Sequence, residues 1–326
     1  MRAVVLVGGE GTRLRPLTYT TPKQMLPVGG CPMIERVLGH LAAHGIDAAV
    51  LSLGYRPDAF MKAYPDGRCA GVALEYAVEA EPLDTAGAIR FAATSAGLDE
   101  RFVVVNGDVL TGLDLSALIS FHRRRRAEAT IALTAVEEPS RFGVVTTDAA
   151  GRVLAFIEKP PPEDTPTNLI NAGTYVLEPS VLERIPPGRR VSIERETFPQ
   201  LAQAGALYAL ASDAPWVDAG TPAAYLAANA VFAATPGPSC RVSTSARVAG
   251  SVLGDDVHVA DGATVEGSVL FDRVDVGHGA HVRASIVGTG ARIGSGARVW
   301  DLTVVGDGAS VPADALLTGE RFPVAP

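Results

Sequence analysis

The C-terminal part of the chain carries an internal repeat that few folds can accommodate. Aliphatic residues recur there at close to hexapeptide spacing, and successive coils measure 17, 17 and 18 residues. The recurring positions are Leu253, Val259, Val265, Leu270, Val276, Val282, Val287, Ile293, Val299, Val305 and Val311. Three short strands per coil, each turning one aliphatic side chain inward, describe a left-handed parallel β-helix. The repeat predicts this fold for residues 241–326.

The β-helix could serve either chemistry or assembly. His258, His278 and His281 could act as bases in an acyltransferase. However, about four coils leave little stacked surface for a coenzyme groove, and polar groups in the repeat do not converge on one place. We therefore expect a packing and assembly module through which the protein forms a homo-oligomer.

Residues 1–234 have a different pattern, in which apolar runs alternate with helical spacing. Residues 32–44 have the spacing of a helix with proline in its first turn. Alternation of this kind builds an α/β domain around a Rossmann-like, mostly parallel sheet. The runs that predict buried strands are residues 3–7, 48–53 and 102–105.

The α/β pattern changes before it ends. Three strand-like segments lack long helices between them, which predicts a substrate-binding insertion beside the sheet; they are residues 142–146, 153–157 and 174–177. A proline- and glycine-rich linker is predicted at residues 235–240. The predicted domains are therefore residues 1–234 and residues 241–326.

A glycine-rich loop follows the first predicted strand. Its glycines are Gly8, Gly9 and Gly11, and its cations are Arg13, Arg15 and Lys23. Small residues let backbone N–H groups approach anionic oxygens closely, and the cations add positive charge at the same place. The spacing is neither that of a P-loop nor a G-x-G-x-x-G pattern. The loop predicts phosphate binding, and with it a nucleotide ligand.

Lysine is rare in this chain. Of 28 Lys and Arg residues, only Lys23, Lys62 and Lys159 are lysines. Where arginine supplies nearly all positive surface, a lysine suggests that a compact ammonium group is wanted at that position. Lys23 and Lys159 stand in motif-like phrases, Thr-Pro-Lys and Glu-Lys-Pro, whereas Lys62 is expected to be a surface residue.

Two aspartates are candidate metal ligands. Asp108 follows the predicted strand at residues 102–105, and Asp218 precedes a tight turn. Either carboxylate could instead cap its turn, which is the usual role of aspartate beside glycine. Phosphoryl transfer needs a divalent cation, and a hard cation prefers carboxylate oxygens.

Composition excludes several other classes of function. The net charge of −8 leaves no general basic surface for nucleic acid. Three widely spaced cysteines indicate neither a disulfide framework nor a zinc site. The first apolar run is too short for a signal peptide, and no run approaches the length of a membrane span. A cytoplasmic protein without membrane or nucleic-acid partners is expected.

These phrases together resemble the sugar-1-phosphate nucleotidyltransferases, whose signature reads G-G-x-G-T-R-L-x-P-L-T followed by P-K. The resemblance covers nearly the whole chain and is closest to the GDP-mannose pyrophosphorylase type, a mannose-1-phosphate guanylyltransferase with a C-terminal left-handed β-helix. Further matching phrases are residues 81–89, 106–108, 141–145, 158–160, 171–173, 192–199 and 216–222.

The resemblance implies a role for each candidate residue. The nucleotide would be bound by Gly8, Gly9, Gly11, Thr12, Arg13, Lys23, Glu81 and Thr85. The sugar phosphate would be bound by Gly143, Glu158, Lys159 and Asn171, and Mg²⁺ by Asp108 and Asp218. Arg13, Lys23 and Asp108 would be the catalytic residues. The substrates implied are a nucleoside triphosphate and a sugar 1-phosphate, with GTP and mannose 1-phosphate as the best pair.

Two departures from the family pattern keep an alternative open. Gln24 follows Lys23, as in the glucose-1-phosphate thymidylyltransferases, and Asp84 stands where the family usually has glycine. The rival interpretation is a thymidylyltransferase or a related enzyme that uses another base or a sugar mimic. A non-catalytic regulatory paralogue is a further alternative, but it would be expected to have lost one of Lys23, Asp108, Lys159 and Asp218, and all four are present.

Overall fold

The computed structural model describes residues 1–232 and 239–323. Internal contacts divide the chain into two compact units that do not follow chain order. The first unit contains Met1–Gly8 and Ile34–Trp216, and the second contains Gly9–Met33 and Val217–Pro326. A segment near the N-terminus therefore belongs with the C-terminal part of the chain. The predicted linker at 235–240 lies mostly outside the described residues.

The first unit is built on a ten-stranded sheet. Its strands are β1 Arg2–Leu6, β2 Ala48–Leu53, β3 Arg68–Cys69, β4 Val72–Val78, β5 Phe102–Asn106, β6 Ala129–Ala135, β7 Gly143–Thr147, β8 Val153–Glu158, β9 Leu169–Leu177 and β10 Leu207–Ala211. The order is β8-β7-β9-β5-β1-β2-β4-β3, with β6 beside β9 and β10 beside β6.

The sheet is mixed, with a parallel centre. Strands β4, β2, β1 and β5 run parallel to one another. Strand β9 pairs antiparallel with both β5 and β6, and β7 pairs antiparallel with β8. The strands predicted at residues 3–7, 48–53 and 102–105 are thus confirmed as β1, β2 and β5, at the centre of a Rossmann-like sheet. Strands β7, β8 and β9 follow one another without an intervening α-helix, as predicted for the insertion.

Seven α-helices lie within the described residues. They are α1 Met33–Ala43, α2 Pro57–Ala63, α3 Asp84–Ser95, α4 Leu115–Arg125, α5 Ser180–Glu183, α6 Phe198–Gln203 and α7 Pro222–Val231. Helix α4 has a cap at each end. At its start, the Asp114 side chain accepts a hydrogen bond from the Ala117 N–H at 2.9 Å, and at its end Arg126 has a φ of 49°, in the left-handed region. None of these helices is long and apolar enough to cross a membrane.

The first unit has its core between the sheet and its helices. Val4, Val50 and Val104 occupy the parallel centre and are almost completely buried, and Ile89 of α3 packs into the same cluster. Burial on both faces explains why these strands read as continuous apolar runs rather than as alternating ones.

The second unit contains the left-handed β-helix predicted from the repeat. Three sheets of five parallel strands form its faces. One face has Arg241–Val242, His258–Val259, Asp275–Val276, Arg292–Ile293 and Ser310–Val311; the next has Arg247–Ala249, Thr264–Glu266, His281–Arg283, Arg298–Trp300 and Leu316–Thr318; the third has Val252–Leu253, Val269–Leu270, Ile286–Val287, Val304–Val305 and Arg321–Phe322. The predicted aliphatic positions are all buried in one core.

The second unit also contains the Gly9–Met33 segment, which has little regular structure. Three short 3₁₀ turns, Thr12–Leu14, Leu17–Tyr19 and Lys23–Met25, are followed by a small hairpin of Pro27–Val28 and Cys31–Pro32. Elsewhere in the chain, Pro139–Arg141 and Pro162–Asp164 are 3₁₀ turns, Ile193–Thr197 is a π-helical turn, and Val109–Thr111 and Trp216–Asp218 are short strands. Cys69 is buried, and Cys31 and Cys240 are partly buried.

Candidate functional site

The glycine-rich loop is exposed and tightly turned. Gly11 has a φ of 63°, and a Cβ placed on it would lie 2.9 Å from Thr18 Cγ2 and 3.1 Å from Lys23 Cβ. Only glycine fits there, and Lys23 lies directly against the loop. Gly9 is different, because a Cβ on it would meet no atom of the described residues within 4 Å. The backbone near Gly9 is therefore open to a ligand from outside.

Arg13 and Asp218 meet at Gly220, within the second unit. A Cβ on Gly220 would lie 2.6 Å from Arg13 Nη2 and 2.9 Å from Asp218 Oδ1. The Gly220 N–H donates to Asp218 Oδ1 at 3.0 Å, which fixes the carboxylate in its turn. A predicted phosphate-binding cation and a predicted metal ligand are thus neighbours. Arg15 is committed elsewhere in the loop, since its guanidinium donates to Glu10 at 2.7 Å.

Gln24, the residue that departs from the family pattern, is buried in the turn after Lys23. Its side chain is 2% exposed, and its Oε1 atom has no hydrogen-bond partner in the part of the chain that the structure describes. A buried acceptor without a donor costs about 1–3 kcal/mol. No group within residues 1–232 and 239–323 accounts for this glutamine.

In the first unit, Gly8 follows β1 and lies near an acidic residue that the sequence analysis missed. A Cβ on Gly8 would lie 3.8 Å from Glu79 Oε1. Glu79 accepts hydrogen bonds from Ser52 Oγ and from the Leu83 N–H, both at 3.0 Å. It thereby ties strand β2 to the segment before α3. Glu81, the predicted nucleotide-binding residue, lies exposed two positions further on.

Asp84 and Thr85 begin helix α3. Asp84 has a φ of 60°, in the left-handed region that favours glycine, which explains why the family usually has glycine there. The Thr85 hydroxyl donates to Glu194 Oε2 at 2.6 Å and accepts from the Ile193 N–H at 2.8 Å. The helix start is therefore bonded to the turn at residues 193–197.

Glu194 is a second residue that the sequence analysis did not single out. Its Oε2 atom also accepts from Ser192 Oγ at 2.9 Å. Burial raises the pKa of the Glu194 carboxyl, while the hydrogen bonds from Thr85 and Ser192 oppose that shift and the charge of Glu158 adds to it. The only available signal was the phrase at residues 192–199, and it pointed to a family rather than to a role.

The predicted sugar-phosphate residues lie on, or directly after, three adjacent strands of the first unit. Gly143 of β7 pairs with Glu158 of β8, and a Cβ on Gly143 would lie 3.0 Å from Glu158 Oε2. Lys159 follows with a φ of 49°, and its Nζ is 3.4 Å from Glu158 Oε1. Asn171 lies on β9, next to β7. The structure thus brings Gly143, Glu158 and Lys159 together.

Asn171 is oriented by two hydrogen bonds. Its Nδ2 donates to the Tyr175 hydroxyl at 2.9 Å, and its Oδ1 accepts from the Gly173 N–H at 2.9 Å. Tyr175 is fully buried, and burial raises the pKa of its phenol, with a further contribution from the Glu194 carboxylate. The amide therefore has a fixed orientation in which each polar end is engaged by the protein.

The two candidate metal ligands belong to different units. Asp108 follows β5, and the preceding Gly107 N–H donates to the Leu6 carbonyl of β1 at 2.9 Å. Its position beyond the carboxyl ends of neighbouring parallel strands is where ligands bind in open α/β sheets. Among the described residues, no three His, Cys, Asp or Glu side chains form a metal-binding group. Each carboxylate by itself suits a Mg²⁺ ion that takes its remaining oxygen ligands from phosphates and water.

Comparison with known proteins identifies the family. The nucleotidyl transferase family model matches residues 2–235. The chain belongs to this family. A second model, the GMPPB C-terminal domain, matches residues 233–322 and covers the β-helix. The family prediction made from the signature is confirmed.

The curated relatives carry a narrower name. A mannose-1-phosphate guanylyltransferase of Mycobacterium tuberculosis is 46% identical over 243 residues, which is 73% of this chain and 67% of the relative. A mannose-1-phosphate guanyltransferase of Aspergillus fumigatus is 41% identical over 238 residues, which is 71% of this chain and 64% of the relative. The match thus spans about two thirds of each relative's length.

A solved structure supports the fold of the α/β part. A Bacillus anthracis protein assigned as a glucose-1-phosphate thymidylyltransferase, in complex with a sucrose, matches with a TM-score of 0.64 and 26% identity. The match covers 71% of this chain and 95% of that protein. Because the guanylyltransferase relatives are much more similar in sequence, the comparisons favour the guanylyltransferase interpretation over the thymidylyltransferase alternative.

Proposed function

We propose that the chain joins GTP and mannose 1-phosphate to form GDP-mannose and pyrophosphate. The observation that carries the proposal is the meeting of Arg13 and Asp218 at Gly220, in the same unit as the exposed glycine loop. A phosphate-binding cation beside a carboxylate that suits Mg²⁺ is what nucleotidyl transfer requires. The names of the relatives in M. tuberculosis and A. fumigatus supply the choice of substrates.

The nucleotide half of the site is assigned to the loop and the start of α3. Backbone N–H groups at Gly8, Gly9, Gly11 and Thr12 would contact the triphosphate. Arg13 and Lys23 would bind the β- and γ-phosphates that leave as pyrophosphate. Glu81 and Thr85 would line the base, and carboxylates are acceptors suited to the N1–H and amino donors of guanine.

The sugar half of the site is assigned to strands β7, β8 and β9. Lys159 would bind the sugar phosphate, while Glu158, Asn171 and the backbone of Gly143 would bind hydroxyl groups. The position of Lys159 beside Glu158 supports this assignment, because one short segment then offers a cation for phosphate and an acceptor for hydroxyls. Polar sites of this kind discriminate strongly, since a mismatched sugar leaves buried groups unpaired.

Asp108 and Asp218 would hold Mg²⁺, which would stabilise the negative charge at the α-phosphate when bound. The chain's own residues perform the remaining work. Arg13 and Lys23 hold the leaving phosphates, and Lys159 holds the attacking phosphate in line with the α-phosphorus. No side-chain nucleophile or general base is needed, because a phosphate monoester is already largely ionised near neutral pH.

A substrate matrix tests the proposal. GTP, ATP and dTTP would each be supplied with mannose 1-phosphate and glucose 1-phosphate in the presence of Mg²⁺, with pyrophosphate release as the readout. GTP with mannose 1-phosphate is expected to have the highest kcat/KM. If dTTP exceeded GTP by about tenfold, which corresponds to about 1.4 kcal/mol, the guanylyl assignment would be wrong.

A pair of variants tests the site within the same assay. Asp218→Asn is expected to abolish release, because it removes a carboxylate beside Arg13. Asp213→Asn removes an exposed carboxylate five positions earlier and is expected to leave turnover unchanged. Equal activity in the two variants would contradict the metal assignment.

The assembly is part of the same proposal. We expect a homo-oligomer formed through the β-helix, with no nucleic-acid or membrane partner and a cytoplasmic location. The support is an outer face of the β-helix on which Trp300 is flanked by Arg283 and Arg298, with guanidinium carbons 5.3 and 5.7 Å from the ring. Leu316 stacks beside Arg298 on this face and is 58% exposed. Arginine and aromatic residues of this kind are enriched at protein interfaces.

A further inference from the structure

The Gly9–Met33 segment, which carries the predicted phosphate-binding residues, is anchored on the β-helix. Thr20 ends the turn Leu17–Tyr19, and its hydroxyl donates to Asp307 Oδ2 at 2.8 Å. The other oxygen of Asp307 accepts from the Thr289 N–H of the preceding coil at 2.9 Å. Asp307 is therefore fixed by the β-helix and presents its remaining oxygen to the segment.

A close packing contact next to this hydrogen bond also holds the Gly9–Met33 segment against the β-helix. A Cβ on Gly306 would lie 2.9 Å from Pro16 Cγ. The Gly306 N–H donates to the Phe322 carbonyl at 2.7 Å, so its backbone is held within the coil. The buried ring of Pro16 thus lies directly on the backbone of the coil that contains Gly306 and Asp307, beside the Thr20 anchor.

The other end of the segment is held by helix α7. Asn229 is 1% exposed, its Oδ1 accepts from the Gly29 N–H at 3.0 Å, and its Nδ2 donates to the Tyr225 carbonyl at 3.0 Å. The Tyr225 hydroxyl donates to the Pro27 carbonyl, and its ring lies edge-on to Phe271 of the β-helix. Fixed points therefore lie on both sides of Lys23.

Lys23 has little freedom between these points. Its side chain is 8% exposed, and its Cβ contacts the glycine loop near Gly11. Arg13 lies three residues before the Pro16 contact. A shift of the turn at Thr20 would therefore displace the groups that are to meet phosphate, and small displacements of such groups are costly for binding and catalysis.

We infer that Thr20 and Asp307 form a positioning pair, through which the β-helix sets the affinity of the loop for nucleoside triphosphate. Neither residue needs to touch the substrate. The inference rests on the proposed function for the identity of the ligand. It gives the β-helix a part in nucleotide binding in addition to assembly.

Asp272 provides a matched control. Its Oδ1 atom accepts a hydrogen bond from the Asp255 N–H of the preceding coil at 2.9 Å, as Asp307 Oδ1 does from the Thr289 N–H. We call this a corner bond. No hydrogen bond from Asp272 to the Gly9–Met33 segment is present among the described residues. Asp272→Ala and Asp307→Ala thus remove equivalent corner bonds, but only the second also removes an anchor of the loop.

The experiment measures two quantities in the full-length chain. Kinetics give KM for GTP and for mannose 1-phosphate, and calorimetry gives the Kd of GTP without turnover. Thr20→Val replaces an exposed side chain with one of nearly the same shape that lacks the hydroxyl. It is expected to raise KM and Kd for GTP about fivefold to tenfold. KM for mannose 1-phosphate should stay within about twofold, and Thr20→Ser should restore the wild-type values.

The aspartate variants complete the test. In KM and Kd for GTP, Asp307→Ala should match Thr20→Val, and Asp272→Ala should match the wild type. The double variant Thr20→Val with Asp307→Ala should bind GTP no more weakly than either single variant, since both changes remove the hydrogen bond between Thr20 and Asp307. An unchanged GTP affinity in Thr20→Val, or equal losses in Asp272→Ala and Asp307→Ala, would overturn the inference. If the wild type bound GTP without turnover, the proposed function would fail, and the Kd comparison would still decide on the positioning pair.

Discussion

At the scale of single residues, the three lysines occupy very different places. Lys62 has a side chain that is 81% exposed and lies 3.7 Å from Asp58, one helical turn away. Such a surface pair contributes little to stability. Lys23 is buried against the glycine loop, and Lys159 stands in a left-handed turn beside Glu158. The expectation that Lys62 is a surface residue is confirmed, and the other two are placed where an ammonium group could act.

The lysines yield a prediction with an internal control. Lys23→Ala and Lys159→Ala should each lower kcat/KM at least about tenfold, because an unmade hydrogen bond to a charged group costs about 1.5–3 kcal/mol. The loss should appear in KM for GTP in the first variant and in KM for mannose 1-phosphate in the second. Lys62→Ala should behave as the wild type in steady-state kinetics. Three variants with the same kinetics would refute the assignment of both phosphate-binding lysines.

At the scale of structural elements, two glycines of the glycine loop differ in the reason for which glycine is needed. Gly11 needs its positive φ and has no room for a Cβ, whereas Gly9 has free space around it. The first glycine serves the fold of the loop, and the second leaves room for a ligand to approach the backbone. The two positions therefore distinguish a structural effect from a binding effect.

Alanine at each position should show this difference. Gly11→Ala is expected to lower both Tm and nucleotide affinity, because the added methyl group collides with Thr18 and strains the backbone. Gly9→Ala should leave Tm unchanged, as measured by calorimetry, and weaken GTP binding by itself. A Gly9→Ala variant with normal affinity would show that the triphosphate does not approach this backbone.

The elements also show what could be predicted from the sequence. The coils of the β-helix were found because each one repeats a local spacing, and β1, β2 and β5 were found because burial on both faces makes each a continuous apolar run. The anchoring of Thr20 by Asp307 could not be found, since the two residues are 287 positions apart. Glu194 could not be found for the same reason, since its hydrogen-bond partner Thr85 lies 109 positions earlier. The types and spacing of residues indicate local structure, but they do not indicate which distant residue makes a contact with it.

At the scale of the whole molecule, the division into units differs from the division into sequence domains. The family models meet near residue 234, as the predicted boundary does, yet the contacts assign Gly9–Met33 to the unit of the β-helix. The predicted phosphate-binding loop from Gly9 onward and one metal-ligand candidate, Asp218, thus belong to the same unit as the C-terminal part of the chain. A β-helix that also carries an assembly surface would connect nucleotide binding with the oligomeric state.

The assembly surface is tested by two exposed leucines. Leu316 lies beside Arg298 on the outer face of the β-helix, and Leu154 lies on β8 of the first unit; they are 58% and 63% exposed. If copies of the chain associate through the face with Trp300, Leu316→Asp should reduce the mass measured by light scattering, because a charge would be buried in an apolar contact. Leu154→Asp makes the same chemical change away from the β-helix and should leave the mass as it is. A Leu316→Asp variant with the wild-type mass would exclude this face as the site of assembly, whereas a loss of mass in both variants would point to solubility rather than to an interface.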